Sequence, residues 1–475
     1  MIFSLIVCVN GNFGIGKDND IPWKFSKDLS HFKKITTSNK EKNSIIIMGN
    51  NTYKSLPDNF KPLPNRMNLV LSKQIKESDN ENLKYFNNII SLLCFININK
   101  EKYNDEVFVI GGSYIYNMFL ELKIITNLYI TLIHSNKEKC DTYFNFNKYI
   151  KHFKLENECN EYDINKVDNL SYVLNFRKYT YINKDEKRYI DMINKILKKG
   201  IYKLDRTKVG TLSLFGKSLK YDIRNYRLPL FTHRKMFYKG ILEELLFFIS
   251  GNTNTKLLEE KKVNIWKGNT SREFLDSRNL QHLHEGDLGA GYSFQLRHFG
   301  ADYINCNTDY SNQGFDQLEY VVNLLKTDPA SRRILFSYWN PSAMKKMALP
   351  PCHLLYQFHV NTDTNELSCS FYQRSSDFVL AANFNIVSAA LLTFMLCHIT
   401  GYKPGKIIHN IGDIHIYMNH IEGAKQLLNN EPLNFPILHI DDSNKKITNI
   451  TDFTVNNFKL LFYNSYPKYA FKMAI

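Results

Sequence analysis

Short runs of β-branched and aliphatic residues recur through the first part of the chain: FSLIVCV, SIIIMG, MNLVLS, EVFVIGG and NLYITLI. Each has the length and composition of a strand. Between them, KDLSHFKKI, NTYKSL and SYIYNMFLEL carry helical spacing. Strand and helix in alternation predict an α/β domain on a mixed, mostly parallel sheet. The stretch from SNKEKCDTYFNFN to NLSYVLNFRKYTYI reads as antiparallel strands closing it.

The pattern then changes. KYTYINKDEKRYIDMINKILKKG passes from a strand into an amphipathic helix, with Tyr189, Ile190, Met192, Ile193, Ile196 and Leu197 at helical spacing and Gly200 as its stop. The expected organisation is a domain over 1–182, a short junction at 183–187 and a second domain over 188–475, with no internal repeat. The second part mixes apolar helices (GILEELLFFISG, FNIVSAALLTFMLCHIT) with strands (RRILFSYW, LLYQFHV, LSCSFYQRS), which predicts an α+β fold.

Composition narrows the function classes. At 475 residues and 44% hydrophobic content a large core is easily built. No stretch is expected to approach the ~18 uncharged apolar residues of a membrane span, so no membrane partner is expected. The N-terminus reads as a first strand rather than a signal peptide, which predicts a cytoplasmic protein. Eight cysteines without a CxxC pair predict reduced thiols and no metal site; His415 and His420 are five apart, too far to share a helical face. The net charge of +15 is spread over KEKN, NKEKYNDE and NKDEKR rather than gathered on one element. That distribution fits anionic small substrates better than a dedicated nucleic-acid partner.

Several residues carry candidate chemistry. Gly11-Asn-Phe-Gly-Ile-Gly16-Lys17 nearly forms a phosphate-binding P-loop but continues with Asp18 instead of Ser or Thr, which excludes the Mg²⁺ ligand an ATPase needs. Asp28 shares a helical face with Phe32 and Ile35, an expensive place for a carboxylate without a partner. In the second part, Cys352 follows two prolines and precedes His353, and a nucleophilic thiol there needs a nearby cation; Arg374 is the candidate. Glu244 has Ile241, Phe247 and Phe248 as helical neighbours and is expected to be the buried acid, with a pKa raised for proton transfer. Glu243 is expected at the surface, paired with Lys239.

In order and spacing, Gly16, Ile21-Pro22-Trp23, Asp28, MGNNTYKSL, Leu63-Pro64-Asn65-Arg66 and Ile110-Gly111-Gly112 resemble dihydrofolate reductase. The resemblance implies that Asp28 hydrogen-bonds the pterin, that Arg66 grips a glutamate carboxylate, and that Ile6, Cys8, Phe32, Ile110, Tyr116 and Thr131 line the folate pocket. Gly16, Asn51, Thr52, Ser72, Lys73, Gly111, Gly112 and Ser113 would meet NADPH, with a cis Gly111–Gly112 peptide. Asn50 stands where the family has an Arg, and Lys73 would supply that charge to the 2′-phosphate.

Residues 186–475 are similar to thymidylate synthase through Asp205-Arg206-Thr207, EELLFF, DPASRR, PPCH, QRSSD and GDIHIY. This implies Cys352 as nucleophile toward C6 of dUMP and 5,10-methylenetetrahydrofolate as one-carbon donor. Arg206, Arg374 and Ser375 would hold the nucleotide phosphate, joined by Arg332 and Arg333 from a second copy in a homodimer. Asn385 would read the uracil, His415 and Tyr417 the ribose, with Tyr292 and His353 beside the nucleotide. Trp266 and Asp377 would contact the folate, and Glu244 would organise protons. Departures from the family pattern (Lys208, Phe247, Ala290, Ser293, Leu296, Ala381, Asn383) are expected to lie where folate packs. The two parts together resemble the fused bifunctional enzymes of protozoa and plants, in which one half regenerates the folate that the other oxidises.

Overall fold

The computed structural model describes residues 1–37, 41–74, 77–204 and 208–471. The chain divides into two compact units: Met1–Lys184 with Leu461–Asn464, and Asp185–Leu460 with Ser465–Ile475.

The first unit is built on ten strands: β1 Ile2–Val9, β2 Gly14–Gly16, β3 Ser44–Gly49, β4 Arg66–Leu71, β5 Leu83–Phe86, β6 Glu106–Gly111, β7 Ile125–Ile133, β8 Thr142–Tyr143, β9 Phe153–Ile164 and β10 Ser171–Tyr181. Eight of them form one sheet in the order β5-β4-β3-β6-β1-β7-β10-β9. The six from β5 to β7 are parallel, and β10 and β9 close the sheet antiparallel. The five expected strands are all present, and their unbroken apolar composition follows from burial on both faces: Ile45, Ile46, Ile47 and Met48 of β3 are fully enclosed. Helices Ser26–Thr36, Asn50–Ser55, Ile89–Ile98 and Ser113–Glu121 pack around it. In such sheets ligands gather at the carboxyl ends of the parallel strands.

The second unit begins inside a helix. Lys184–Lys199 is continuous, so the residues expected as a junction are mostly its first turn. Asp185 and Glu186 are buried there. Asp185 pairs with Arg227 at 2.6 Å. Glu186 accepts from the Thr232 amide (2.6 Å) and hydroxyl (2.8 Å) and from the His233 amide (2.9 Å), which compensates a carboxylate with no solvent exposure.

Eight further strands follow: β11 Ile201–Lys203, β12 Thr211–Asp222, β13 Leu335–Ser337, β14 His353–Asn361, β15 Glu366–Asp377, β16 Lys403–Tyr417, β17 Ile437–Ile440 and β18 Phe458–Leu461. The main sheet runs β11-β12-β16-β15-β14-β13, with only β15 and β16 parallel. One expectation is corrected here. Helix Ala382–Thr400 is long and apolar enough to cross a membrane by length and composition, with mean hydropathy 1.6. Most of it is buried in the core of the second unit, under the sheet, and a helix enclosed on all sides has no polar face to display.

Candidate active sites

In the first unit the ends of β1, β3, β4 and β6 open into a cavity of about 890 Å³. Cys8, Gly16, Asn51, Thr52, Ser72, Lys73, Ile110, Gly111, Gly112, Ser113 and Tyr116 all line it, and so does Asn50. Among the described residues that line it, only Lys17 and Lys73 are cationic. The Gly111–Gly112 peptide is cis, and Gly111 has φ +135°, a conformation reserved for glycine. A Cβ on Gly112 would lie 3.3 Å from the Thr52 hydroxyl, so the bare backbone leaves room for a ligand to approach closely. Helix Ser113–Glu121 starts at Gly112 with no side-chain cap, and Ser113, Tyr114 and Ile115 of its first turn border the cavity. Unbonded amides of that kind favour phosphate oxygens.

Asp28 lies deeper. Register places Cys8 of β1 opposite Thr131 of β7, and both side chains act on the Asp28 carboxyl to lower its pKa. Burial raises the Asp28 pKa, opposed by those two side chains. Tyr116 closes the group by donating to the Ile6 carbonyl at 2.8 Å. Arg66 is 4% exposed; its Nε donates to the Pro64 carbonyl (3.0 Å), its Nη1 to the Thr36 hydroxyl (2.9 Å), and its guanidinium lies 5.7 Å from the Phe32 ring. No ion pair to Arg66 occurs among the described residues, which leaves a buried cation able to receive a carboxylate.

The second site forms where β14 and β15 pair. The Arg374 amide donates to the Cys352 carbonyl at 2.8 Å, while Nε holds the Pro351 carbonyl (2.8 Å) and Nη2 the Pro350 carbonyl (3.1 Å). That grip points Nη2 at the Cys352 sulfur, 3.8 Å away. The Tyr292 hydroxyl accepts from the Cys352 amide at 2.7 Å, and the Tyr292 ring stacks on His353 (4.6 Å) and Phe248 (5.0 Å). Burial pushes His353 down to about 3, so its ring is neutral, with Nδ1 2.9 Å from the Tyr356 hydroxyl.

Glu244 accepts from the Trp266 indole at 2.8 Å. Glu244 is half-buried; desolvation raises its pKa to about 7, against the lowering effect of that indole. Its neighbour corrects the expectation: Glu243 is only 4% exposed and pairs with Lys261 at 2.8 Å, not at the surface with Lys239. The physical reason is that helix Tyr238–Ile249 is enclosed on nearly all sides, and Lys261 at the end of helix Lys256–Glu260 meets it there.

The parallel register sets Ser375 beside Asp413 and Asp377 beside His415, and β12 adds Thr211 beside Tyr417. His415 Nδ1 lies 3.1 Å from Asp413. Asn385 is half-buried in the first turn of Ala382–Thr400. Arg332 and Arg333 are exposed, with no ion pair among the described residues. Arg206 lies outside the described residues.

Three of the departures have defined surroundings. Asn383 is 3% exposed and spends its side chain on the Pro229 carbonyl (2.8 Å) and the Phe231 amide (3.1 Å). Ala290 joins an interior cluster with Leu275, Leu280 and Phe294. Lys208 adopts φ +60°, where a glycine costs less. Sequence reasoning missed Trp339, whose ring lies 5.8 Å from the Arg374 guanidinium, and Tyr338, edge-on to Tyr292 at 5.1 Å. Both lie shortly after the DPASRR segment, and that proximity was the available signal.

The dihydrofolate reductase family model matches residues 2–180, and the thymidylate synthase family model matches residues 187–475. The chain is 44% identical over 482 residues to the bifunctional dihydrofolate reductase-thymidylate synthase of Paramecium tetraurelia, covering 100% of this chain and 99% of that one. It is 37% identical to the proteins of the same name from Zea mays, over 100% of this chain and 97% of that one, and from Leishmania major, over 100% and 95%.

Proposed function

This chain belongs to the bifunctional dihydrofolate reductase-thymidylate synthase family, and we propose from its geometry which residues carry the two reactions. The observation that carries the reading is the 3.8 Å approach of Arg374 Nη2 to the Cys352 sulfur, at the end of a strand that also presents Ser375 and Asp377.

In the first unit the residues fit a dinucleotide and a pterin. The Gly111–Gly112 backbone, the first-turn amides of Ser113–Glu121 and the two lysines suit a chain of phosphates. NADPH supplies the hydride. Asp28 holds the pterin by its amino and ring N–H groups, an acceptor role its ionised form performs, and Cys8 and Thr131 fix the carboxyl's orientation. Phe32, Ile6 and Ile110 exclude water beside it. Arg66 binds the glutamate carboxylate with its fork.

In the second unit Cys352 attacks C6 of dUMP, which makes C5 a nucleophile. Arg374 and Ser375 hold the phosphate, with Arg206 beside them. Asn385 reads the uracil edge, and His415 and Tyr417 the ribose hydroxyl. Asp377 and Trp266 face the folate, 5,10-methylenetetrahydrofolate, which supplies the one-carbon unit and a hydride. Glu244, poised near neutrality, exchanges the protons that the ring gains and loses. Tyr292 keeps the Cys352 amide fixed, and neutral His353 packs beneath it. Arg332 and Arg333 complete the phosphate site of a second copy in a homodimer, in the cytoplasm.

Two variants separate the halves. Cys352→Ala abolishes dTMP formation and leaves NADPH-dependent reduction intact; Asp28→Asn does the reverse. Loss of both activities in either variant contradicts the assignment.

A further inference from the structure

His420 is a buried imidazole, 1% exposed, for which the roles above have no use. It follows β16 in a short 3-10 turn, Met418–His420. Three elements converge on it. Its Nδ1 faces the Asp377 carboxylate of β15, 3.6 Å from Oδ2. Its ring meets Tyr417 edge-on, with centroids 5.8 Å apart. On its other side lies Phe471, 5.0 Å away and tilted by 67°.

The seat for Phe471 is purpose-shaped. A Cβ on Gly423, in helix Ile421–Leu427, would lie 2.6 Å from the Phe471 ring and 2.5 Å from that of Tyr469, so only a glycine admits the aromatic pair. Arg234 covers the Phe471 ring at 5.1 Å and uses Nη2 to hold the carbonyls of Val379 (2.6 Å) and Leu380 (3.2 Å). The loop that begins at Asp377 is thus gripped at two places. Its own turn adds a third constraint, because Asp377 Oδ1 accepts the Leu380 amide at 3.2 Å. That bond leaves Oδ2 as the oxygen turned toward His420.

We propose that His420 is a positioning residue for the folate subsite: it orients the Asp377 carboxylate, and Phe471 and Tyr417 hold the imidazole in place to do so. This deepens the proposed function and rests on its assignment of Asp377 to the folate. At 3.6 Å the contact is electrostatic rather than a hydrogen bond, and such gaps shorten when a ligand fills the site. An unanchored carboxylate must be ordered on binding, so the loss falls on the folate. Tyr417, assigned to the ribose, packs edge-on against the same ring; a phenyl ring at position 420 keeps that contact, so the nucleotide is spared.

The test is a steady-state comparison of the full-length protein. His420→Phe fills the volume without the donor, and His420→Asn places an amide nitrogen where Nδ1 stood. The Phe variant should raise KM for 5,10-methylenetetrahydrofolate about tenfold, the scale of one lost hydrogen bond to a charged group, with KM for dUMP unchanged. The Asn variant should restore folate KM to near wild type. Equal rises in both KM values, or an Asn variant as poor as the Phe one, overturn the proposal.

Asp377→Ala distinguishes the underlying assignment. If it leaves folate KM unchanged, Asp377 does not serve the folate, and the proposal falls with that reading. If folate KM rises there but not in His420→Phe, the reading stands and the proposal alone fails. Should His420→Phe unfold, Phe471→Ala decides: a rise in folate KM alone supports the proposal, and no change overturns it.

Discussion

Arg374 holds Cys352 by backbone as well as by charge. Its amide and its guanidinium bind the carbonyls of Cys352, Pro351 and Pro350, so the cation 3.8 Å from the sulfur is anchored in three directions. A guanidinium with five donors can do this and still offer N–H groups to a phosphate; an ammonium cannot.

Arg374→Lys therefore keeps the charge and loses the fork. Its kcat/KM for dUMP should fall about a hundredfold, the scale of two charge-assisted hydrogen bonds, while dihydrofolate reduction is unchanged. Steady-state assays of both activities measure this; a Lys variant within a few-fold of wild type contradicts it.

Burial raises Glu244 to about 7, and the Trp266 indole holds it below where burial alone would place it. Trp266→Phe removes that donor, so the pKa rises further. If ionised Glu244 accepts the proton, the acidic limb of the kcat profile for dTMP formation moves to higher pH in Trp266→Phe. Glu244→Gln should abolish the limb. A shift to lower pH in Trp266→Phe contradicts the assignment.

Lys73 borders the reductase cavity beside Ser72, and Asn50, also on its lining, offers no charge. Lys73→Ala should raise KM for NADPH about tenfold and leave KM for NADH almost untouched, since only the former carries the 2′-phosphate. Equal effects on the two cofactors refute a phosphate contact.

Arg332 and Arg333 are exposed in the single chain. If they serve a second copy, mixing Cys352→Ala with an Arg332→Ala/Arg333→Ala variant rebuilds one intact site per hybrid dimer. Activity should reappear on mixing and grow with subunit exchange. Persistent inactivity places the arginines outside the partner's site.

Much of the first unit was legible because parallel strands buried on both faces read as unbroken apolar runs, as β1 and β3 do. Helix Ile89–Ile98 was not: IISLLCFINI is apolar all round and lacks a helical period. The central strand β16 was hidden by Pro404, Gly405, Gly412 and Asp413, which signal turns. Gly412 is there for space, because a Cβ would lie 2.7 Å from the Arg374 carbonyl on the neighbouring strand.

In the active sites, single residues within motifs were readable, but relationships set by register were not. The sequence placed Glu244 beside apolar neighbours and left its partner Trp266, twenty-two positions away, unpaired with it. Glu243 was misplaced because helical spacing within one element says nothing about the second helix packed against it. The anchoring of Asp377 by His420 depends on β15 and β16 lying side by side.

The central claim is that the Cys352 sulfur bonds to the pyrimidine, and intact-mass spectrometry tests it most directly. A dUMP carrying fluorine at C5 cannot surrender a proton there, so with 5,10-methylenetetrahydrofolate present the covalent complex should accumulate. The account predicts an added mass of nucleotide plus folate on the intact chain, mapped by proteolytic digestion to the peptide containing Cys352 and absent from Cys352→Ala. An adduct on another cysteine, or an unmodified chain under turnover conditions, contradicts it.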